Sequence, residues 1–257
     1  MTPENGQENK VLDINATQSN RGGFLGLMES FFRRFRTLGF TVMLAPIAIL
    51  YVFCMGVSLS PGVALVMSAY EYVQNKHILV QAMLIGPSLA ASFFLYGLVL
   101  IFIVPLTNKL LPLKVRPHRA TWYSLSVIPW YYHNALTYLV RYTFLDFITP
   151  TPLNKLFYQM MGMKIGKGTI INTSNISDPC LIEIGDYVTI GGSATLLAHY
   201  GMKGFLVIDR LIIKNKATIG LNASLFGDVI VGEGAIVKPL EVLLPKTRLP
   251  DNIKKEA

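Results

Sequence analysis

The sequence predicts an α + β chain: an N-terminal transmembrane helical hairpin with an interfacial helical segment behind it, then a parallel β-helix of hexapeptide repeats. Two observations carry this. No Asp, Glu, Lys or Arg occurs from Thr37 to Tyr70, nor from His77 to Asn108. In the last third, Val207, Ile213, Ile219, Leu225, Val231 and Val237 recur every six residues, and Ile165, Ile171, then Ile184, Ile190 and Leu196 keep the same period earlier. A fixed aliphatic at every sixth position is neither a 3.6-residue helical nor a two-residue strand pattern. Three segments follow: 1–36, disordered and basic; 37–150, the membrane region; and 151–257, the β-helix.

Residues 1–20 are polar and without periodicity, as in a disordered chain. Each uncharged run exceeds the ~20 residues needed to cross a bilayer core. They predict spans over residues 38–59 and 82–105, joined by a loop holding Ser60-Pro61-Gly62, Glu71 and Lys76. Arg21, Arg33, Arg34 and Arg36 precede the first span, and Lys109, Lys114, Arg116 and Arg119 follow the second. The positive-inside bias then places both ends of a multi-pass hairpin, and the β-helix, in the cytoplasm. Much of the net charge of +8 is this flanking set. It predicts attraction to anionic membrane lipid rather than a nucleic-acid partner. The chain is 52% hydrophobic with a positive mean hydropathy, too apolar for a purely soluble domain.

Residues 121–147 are dense in aromatics, among them Trp122, Tyr123, Trp130, Tyr131, Tyr132, Tyr138 and Tyr142. Trp and Tyr concentrate where apolar and wet surroundings meet, so the segment predicts an interfacial helix, with a third span as the alternative. Pro150 and Pro152 then lead into a short helix over residues 154–161. Roughly ten hexads predict just over three coils, with small residues four places after the aliphatic (Val188, Ala194, Ala217, Ala223, Val229, Ala235) at the corners. Cys54 and Cys180 lie in different segments and form no disulfide framework.

Of four histidines, only His199 belongs to the β-helix. It opens the segment 199–205, which interrupts the repeat, and a loop leaving a rigid coil is where a solenoid presents a functional side chain. Asp186, Asp228 and Glu233 stand at corner turns, where short acidic residues suit the backbone. His133 beside Asn134 is the other histidine in an apolar setting.

The stretches IEIGDYVTIGGSATLLAH (182–199) and IIKNKATIGLNASLFGDVIVGEGAIV (212–237) resemble the hexapeptide-repeat, left-handed β-helix acyltransferases. The whole layout is similar to the membrane-embedded C-terminal region of non-ribosomal peptide synthetases such as the ε-poly-lysine synthetases. The resemblance covers roughly residues 160–250. It implies a homotrimer with acetyl-CoA or another acyl-CoA between neighbouring β-helices, His199 as general base, and Asn172 and Tyr200 on the substrate side. An imidazole of pKa ~6.5 suits proton removal from an attacking amine or hydroxyl near neutral pH.

Other classes are excluded. No His-x-x-x-x-Asp occurs, the segment GMKIGKG (162–168) is one residue short of a phosphate loop, and a single β-helix histidine does not make a zinc site. The chain also departs from the family. LPKTRLP (244–250) leads toward a Gly-Asn-Pro-Ala segment that is absent, and Glu241 stands where a small corner residue is expected, as at a cap. These departures point to a carrier-protein thioester as donor, or to a second class of function, a non-catalytic trimeric scaffold at the membrane.

Overall fold

A computed structural model describes residues 16–19 and 22–252. The expected disorder of residues 1–15 lies outside them. Among the described residues the α-helices are α1 (Gly23–Arg34), α2 (Arg36–Val73), α3 (Ile78–Leu110), α4 (Ile128–Thr143) and α5 (Pro152–Met160). The strand β1 (His118–Thr121) separates α3 from α4.

Helix α1 corrects the reading of residues 1–36 as disordered. Its Glu29, alone among basic and apolar residues, is enclosed and accepts hydrogen bonds from Ser124 Oγ (2.8 Å), Ser19 Oγ (2.8 Å) and Arg33 Nη2 (3.0 Å). Burial alone would raise the Glu29 pKa, and these bonds outweigh it and hold it below the usual value. Phe32 closes the α1–α2 corner against Gly39, where a Cβ would lie 2.5 Å from its ring.

Ser60-Pro61-Gly62 is helical, not a loop, so α2 continues to Val73 and the connection shrinks to residues 74–77. Gly62 is a contact point rather than a turn: a Cβ there would come within 2.8 Å of Ser92 Cβ. The Ser92 hydroxyl donates to Gly62 O (2.9 Å) and Ser60 Oγ to Gly56 O (2.8 Å), so hydroxyls take up carbonyl oxygens around the proline. At 1.5 Å per residue, α2 is about 57 Å long and α3 about 50 Å, each longer than a ~30 Å hydrocarbon core. Both are long and apolar enough to cross a membrane.

Helix α4 is about 24 Å long and is enclosed by protein on most sides. One side packs on the hairpin: Tyr132 OH donates to Met43 O (2.9 Å) and Tyr51 OH to Ala135 O (2.8 Å). Phe144, just past its end, fills the groove at Gly97. The other side meets the β-helix through Asn134, Tyr138 and Arg141, with Tyr138 OH 2.6 Å from Ser177 Oγ and Arg141 bonded to Asn175. Its length and this double contact make α4 the joint between the two halves. His133 on α4 sits 3.1 Å from Asn108 Oδ1 through Nδ1, and its Nε2 is buried without a hydrogen-bond partner. Burial lowers its pKa to about 4, against the opposing pull of the Asp178 carboxylate.

Helix α5 closes the first coil. Asn154 Nδ2 donates to Ile171 O (2.9 Å) and Tyr158 OH to Ser174 O (3.1 Å), with Phe157 and Tyr158 fully enclosed.

The coils follow in order: β2 (Lys164–Ile165), β3 (Ile170–Ile171) and β4 (Ile176–Ser177); β5 (Ile182–Ile184), β6 (Thr189–Ile190) and β7 (Thr195–Leu197); an inserted hairpin, β8 (His199–Met202) and β9 (Phe205–Ile208); β10 (Leu211–Ile213), β11 (Thr218–Ile219) and β12 (Ser224–Leu225); β13 (Val229–Val231), β14 (Ile236–Val237) and β15 (Val242–Leu243); then β16 (Arg248–Leu249). They stack into three parallel sheets, β16-β13-β10-β5-β2, β14-β11-β6-β3 and β15-β12-β7-β4. Ile184, Ile190, Leu196, Ile213, Ile219, Leu225, Val231 and Val237 are all interior. The small corner residues Val188, Ala194, Ala217, Ala223 and Val229 are completely buried. Asp186 serves a corner ladder, accepting from Lys167 N (2.8 Å) while its own N–H donates to Asn215 Oδ1 (2.9 Å).

Three expectations are corrected. The stack holds four coils and one further strand, where just over three coils were expected, because Ile176 and Ile184 belong to one continuous path stretched by a 3-10 turn over Pro179–Leu181. Val207 lies in the inserted hairpin, paired antiparallel with Tyr200, so its place in the six-residue series is coincidental. Glu241 is not the cap: its carboxylate accepts from Lys238 N (2.7 Å) within a turn, and β15 and β16 continue beyond it.

Two tests follow from this packing. Gly97→Ala would drive a Cβ within 2.2 Å of three Phe144 ring atoms, so it is expected to cost about 1–3 kcal/mol and lower the Tm. Gly56→Ala, with open space around it, should leave the Tm unchanged or raise it; equal behaviour of the two variants would contradict the α3–α4 contact. For His133, the folded pKa of about 4 lies below the ordinary value of about 6.5. The unfolded chain therefore takes up the proton first, and stability is lost as pH falls through that window. Tm measured in detergent should decline between those pH values more steeply in the wild type than in His133→Gln; coincident profiles would refute this.

Candidate functional site

The chain leaves β7 at Ala198 and enters the hairpin at His199, and the 3-10 turn one coil below brings Asp178 beneath it. Asp178 adopts a left-handed backbone (φ 59°, ψ 46°), a region that Asp tolerates better than most residues. Its side chain has no solvent exposure. The carboxylate accepts from His199 Nδ1 (2.5 Å) and Ala198 N (3.1 Å) on Oδ2, and from Asn134 Nδ2 (2.5 Å) on Oδ1. Asp178 N donates in return to Asn134 Oδ1 (3.1 Å).

A carboxylate offers only acceptors, so Nδ1 of His199 carries the hydrogen of this contact and Nε2 of the neutral ring is the basic nitrogen. Trp130 of α4 lies against the imidazole, ring centroids 4.9 Å apart at 74°. The ring is therefore held by a carboxylate on one nitrogen and by an indole beside it, with 17% of the side chain exposed. That exposed part faces a cavity of about 620 Å³ lined by Trp122, Leu197, Tyr200, Met202, Phe226 and Lys246, among others.

The cavity wall is built from both halves of the protein. β1 pairs antiparallel with β9, which pairs with β8, so the strand after α3 completes a three-stranded sheet with the hairpin that carries His199. Trp122 follows β1 directly. Arg119 on β1 stacks over the Phe205 ring at 4.4 Å.

Tyr200 lines the cavity with His199. Its phenol pKa is raised by burial and by Asp228 and Asp209, with Arg119 opposing. Asn172 does not join them. It is exposed and lines a separate polar cleft of about 310 Å³ with Asp146, Thr173, Ser174 and Asn175. His133 does not line the His199 cavity either, and its Nδ1 is engaged by Asn108. Burial, then the Asp178 charge, push the Cys180 thiol up to about 12, which leaves it no thiolate near neutral pH. Among the described residues no group of His, Cys, Asp and Glu could hold a metal ion.

Sequence reading does not mark Asp178 at all, and it names Asn134, Trp122 and Trp130 without assigning them to the site. The one available signal was the stretch from six residues to eight between Ile176 and Ile184, with Asp178 inside it.

No protein-family model matches the chain. It is 22% identical over 195 residues to the delta-poly-L-ornithine synthetase of Acinetobacter baumannii, across 74% of this chain but only 14% of the synthetase's length. It is 26% identical over 125 residues to YvoF of Bacillus subtilis, named for an inferred acetyltransferase activity, across 40% of this chain and 73% of that protein. Among solved structures, a hexapeptide-repeat acetyltransferase of Vibrio cholerae aligns with 23% identity over 36% of this chain and 56% of its own, TM-score 0.33. The serine acetyltransferase of Neisseria gonorrhoeae aligns with 16% identity over 79% and 87%, TM-score 0.31. Over 40% of its length the chain is thus similar to a protein named as an acetyltransferase.

Proposed function

We propose that this protein is a membrane-anchored acyltransferase of the hexapeptide-repeat type. It moves an acyl group, acetyl in the first instance, from a thioester of CoA or of a carrier protein to an amine or hydroxyl. The observation that carries the reading is the His199–Asp178 pair at the wall of a largely apolar cavity. His199 Nε2 removes the proton of the acceptor as it attacks the thioester carbonyl, while Asp178 fixes the ring and offsets the charge the imidazolium gains. Apolar walls suit a thioester arm, and Lys246 at the rim suits a phosphate.

The anchor is the α2–α3 hairpin, which exposes Val52, Phe53, Val63, Met67, Leu79 and Met83 along its length. Lipid is the surrounding that makes such exposure favourable. With its basic ends inward, the hairpin leaves the β-helix in the cytoplasm, where acyl-CoA is made. Association through the β-helix sides into a trimer is supported by the outward column Ile170, Thr189, Thr218 and Ile236 on one flat sheet, since Ile170 and Ile236 are 57% and 64% exposed.

Acetyl-CoA binding by the detergent-purified protein, read by calorimetry, and thiol release in its presence test this. Wild type and His199→Ala should bind acetyl-CoA alike, and the variant should lose turnover by at least ~10²-fold. Unimpaired turnover in His199→Ala would refute the mechanism. Absence of binding to acetyl-CoA or to an acetylated carrier protein in every form would leave the scaffold role instead.

A further inference from the structure

The position of His199 relative to the hairpin bears on what it acylates. Three ring contacts lead from the imidazole to α2: His199 to Trp130 at 4.9 Å, Trp130 to Tyr131 at 4.9 Å, and Tyr131 to Phe40 at 5.2 Å. Phe40 is one turn into α2. Next to Trp130 and Tyr131, Tyr132 bonds Met43 O, two turns into the same helix. Phe40 also touches Tyr123 (6.3 Å), over whose ring the Arg36 guanidinium sits at 5.5 Å. The reacting histidine thus stands beside the end of the apolar hairpin where the basic residues collect, at the level that aromatic belts and lipid headgroups share.

The cavity agrees with that level. Among the described residues, His199 and Lys246 are the only ionisable side chains other than Tyr200 in its lining, while Trp122, Leu197, Met202, Phe226 and Leu244 form apolar walls. Met202 and Leu244 at the mouth are 45% and 63% exposed. A small zwitterion such as a free amino acid needs a paired charge for each of its ends on burial, and this lining offers no carboxylate for its ammonium. An apolar mouth instead accepts hydrocarbon.

We propose that the acyl acceptor is a membrane-resident amphiphile, held in the bilayer by a hydrocarbon chain, that presents an amine or hydroxyl to His199 at headgroup depth. The proposal rests on the acyltransferase reading above and names its substrate class. The acceptor nitrogen or oxygen forms a bond to the thioester carbonyl carbon and gives its proton to His199 Nε2. The carbon–sulfur bond breaks, and the thiolate leaves with the proton that the imidazolium returns, so that an amide or ester and a free thiol result.

Two measurements on the full chain decide it, the first in nanodiscs and the second in cell fractions. The sequence has two tryptophans, Trp122 and Trp130, and both belong to this site. Their fluorescence is expected to be quenched by phosphatidylcholine brominated near the head of its acyl chains more than by lipid brominated near the chain ends. No quenching, or stronger quenching by the deep bromines, would overturn the placement. In the second measurement, acetyl-CoA radiolabelled in its acetyl group is incubated with membranes and soluble extract of cells producing wild type or His199→Ala. The expected result is label in the organic-extractable lipid fraction of the wild type, reduced at least tenfold in the variant. His199-dependent label in water-soluble small molecules would overturn the acceptor class while leaving the acyltransferase intact. No His199-dependent transfer to either fraction would defeat the acyltransferase reading, and this inference with it.

Discussion

The carboxylate of Asp178 holds the two halves of the molecule together. Enclosing it without compensation would cost several kcal/mol, and the compensation comes from three places: Asn134 on α4, the backbone of Ala198 at the end of the second coil, and the ring of His199. Docking of the helical region and orientation of the imidazole are therefore one interaction. The Asn134 side chain closes it in both directions, donating to Oδ1 and accepting from Asp178 N. A carboxylate satisfied in this way has little freedom to turn, and the nitrogen it holds has little freedom to wander.

Around this centre the inserted hairpin is stiffer than a loop excursion would be. Its outer strand β9 is covered by β1, which removes an exposed edge, and its tip turns at Lys203 and Gly204, both left-handed. The strand that covers it comes from the far side of the chain, after the hairpin helices. The imidazole of His199 and the cavity wall are thus held in one alignment by paired strands rather than by a free loop.

How far this was legible in the sequence follows from which forces leave a local trace. Stacked coils force one aliphatic inward per face, so Ile184, Ile190, Ile213 and Ile219 write the repeat directly into the chain. Uncharged runs likewise announce α2 and α3. A local pattern cannot separate Val207 from the series, because the antiparallel sheet it joins is set by its partner Arg119, 88 residues earlier in β1. Pro61 and Gly62 read as a turn in water, but beside Ser92 they are a site of close helix approach. His199 stands out in the sequence because it breaks a period. Asp178 does not, since its function depends on Asn134, 44 residues away, and on a corner one coil up.

The aromatic segment shows the same limit from the other side. Trp130, Tyr131, Tyr132, Tyr138 and Tyr142 have the composition of an interfacial belt, and composition alone assigns them one role. Within α4 they divide: Tyr132 ties to the hairpin, Tyr138 to the β-helix, and Trp130 to the histidine. A helix that serves three surfaces cannot shift against one without disturbing the others. The packing of α4 on the hairpin therefore also sets the facing of the His199 imidazole, through side chains whose composition alone reads as a membrane boundary.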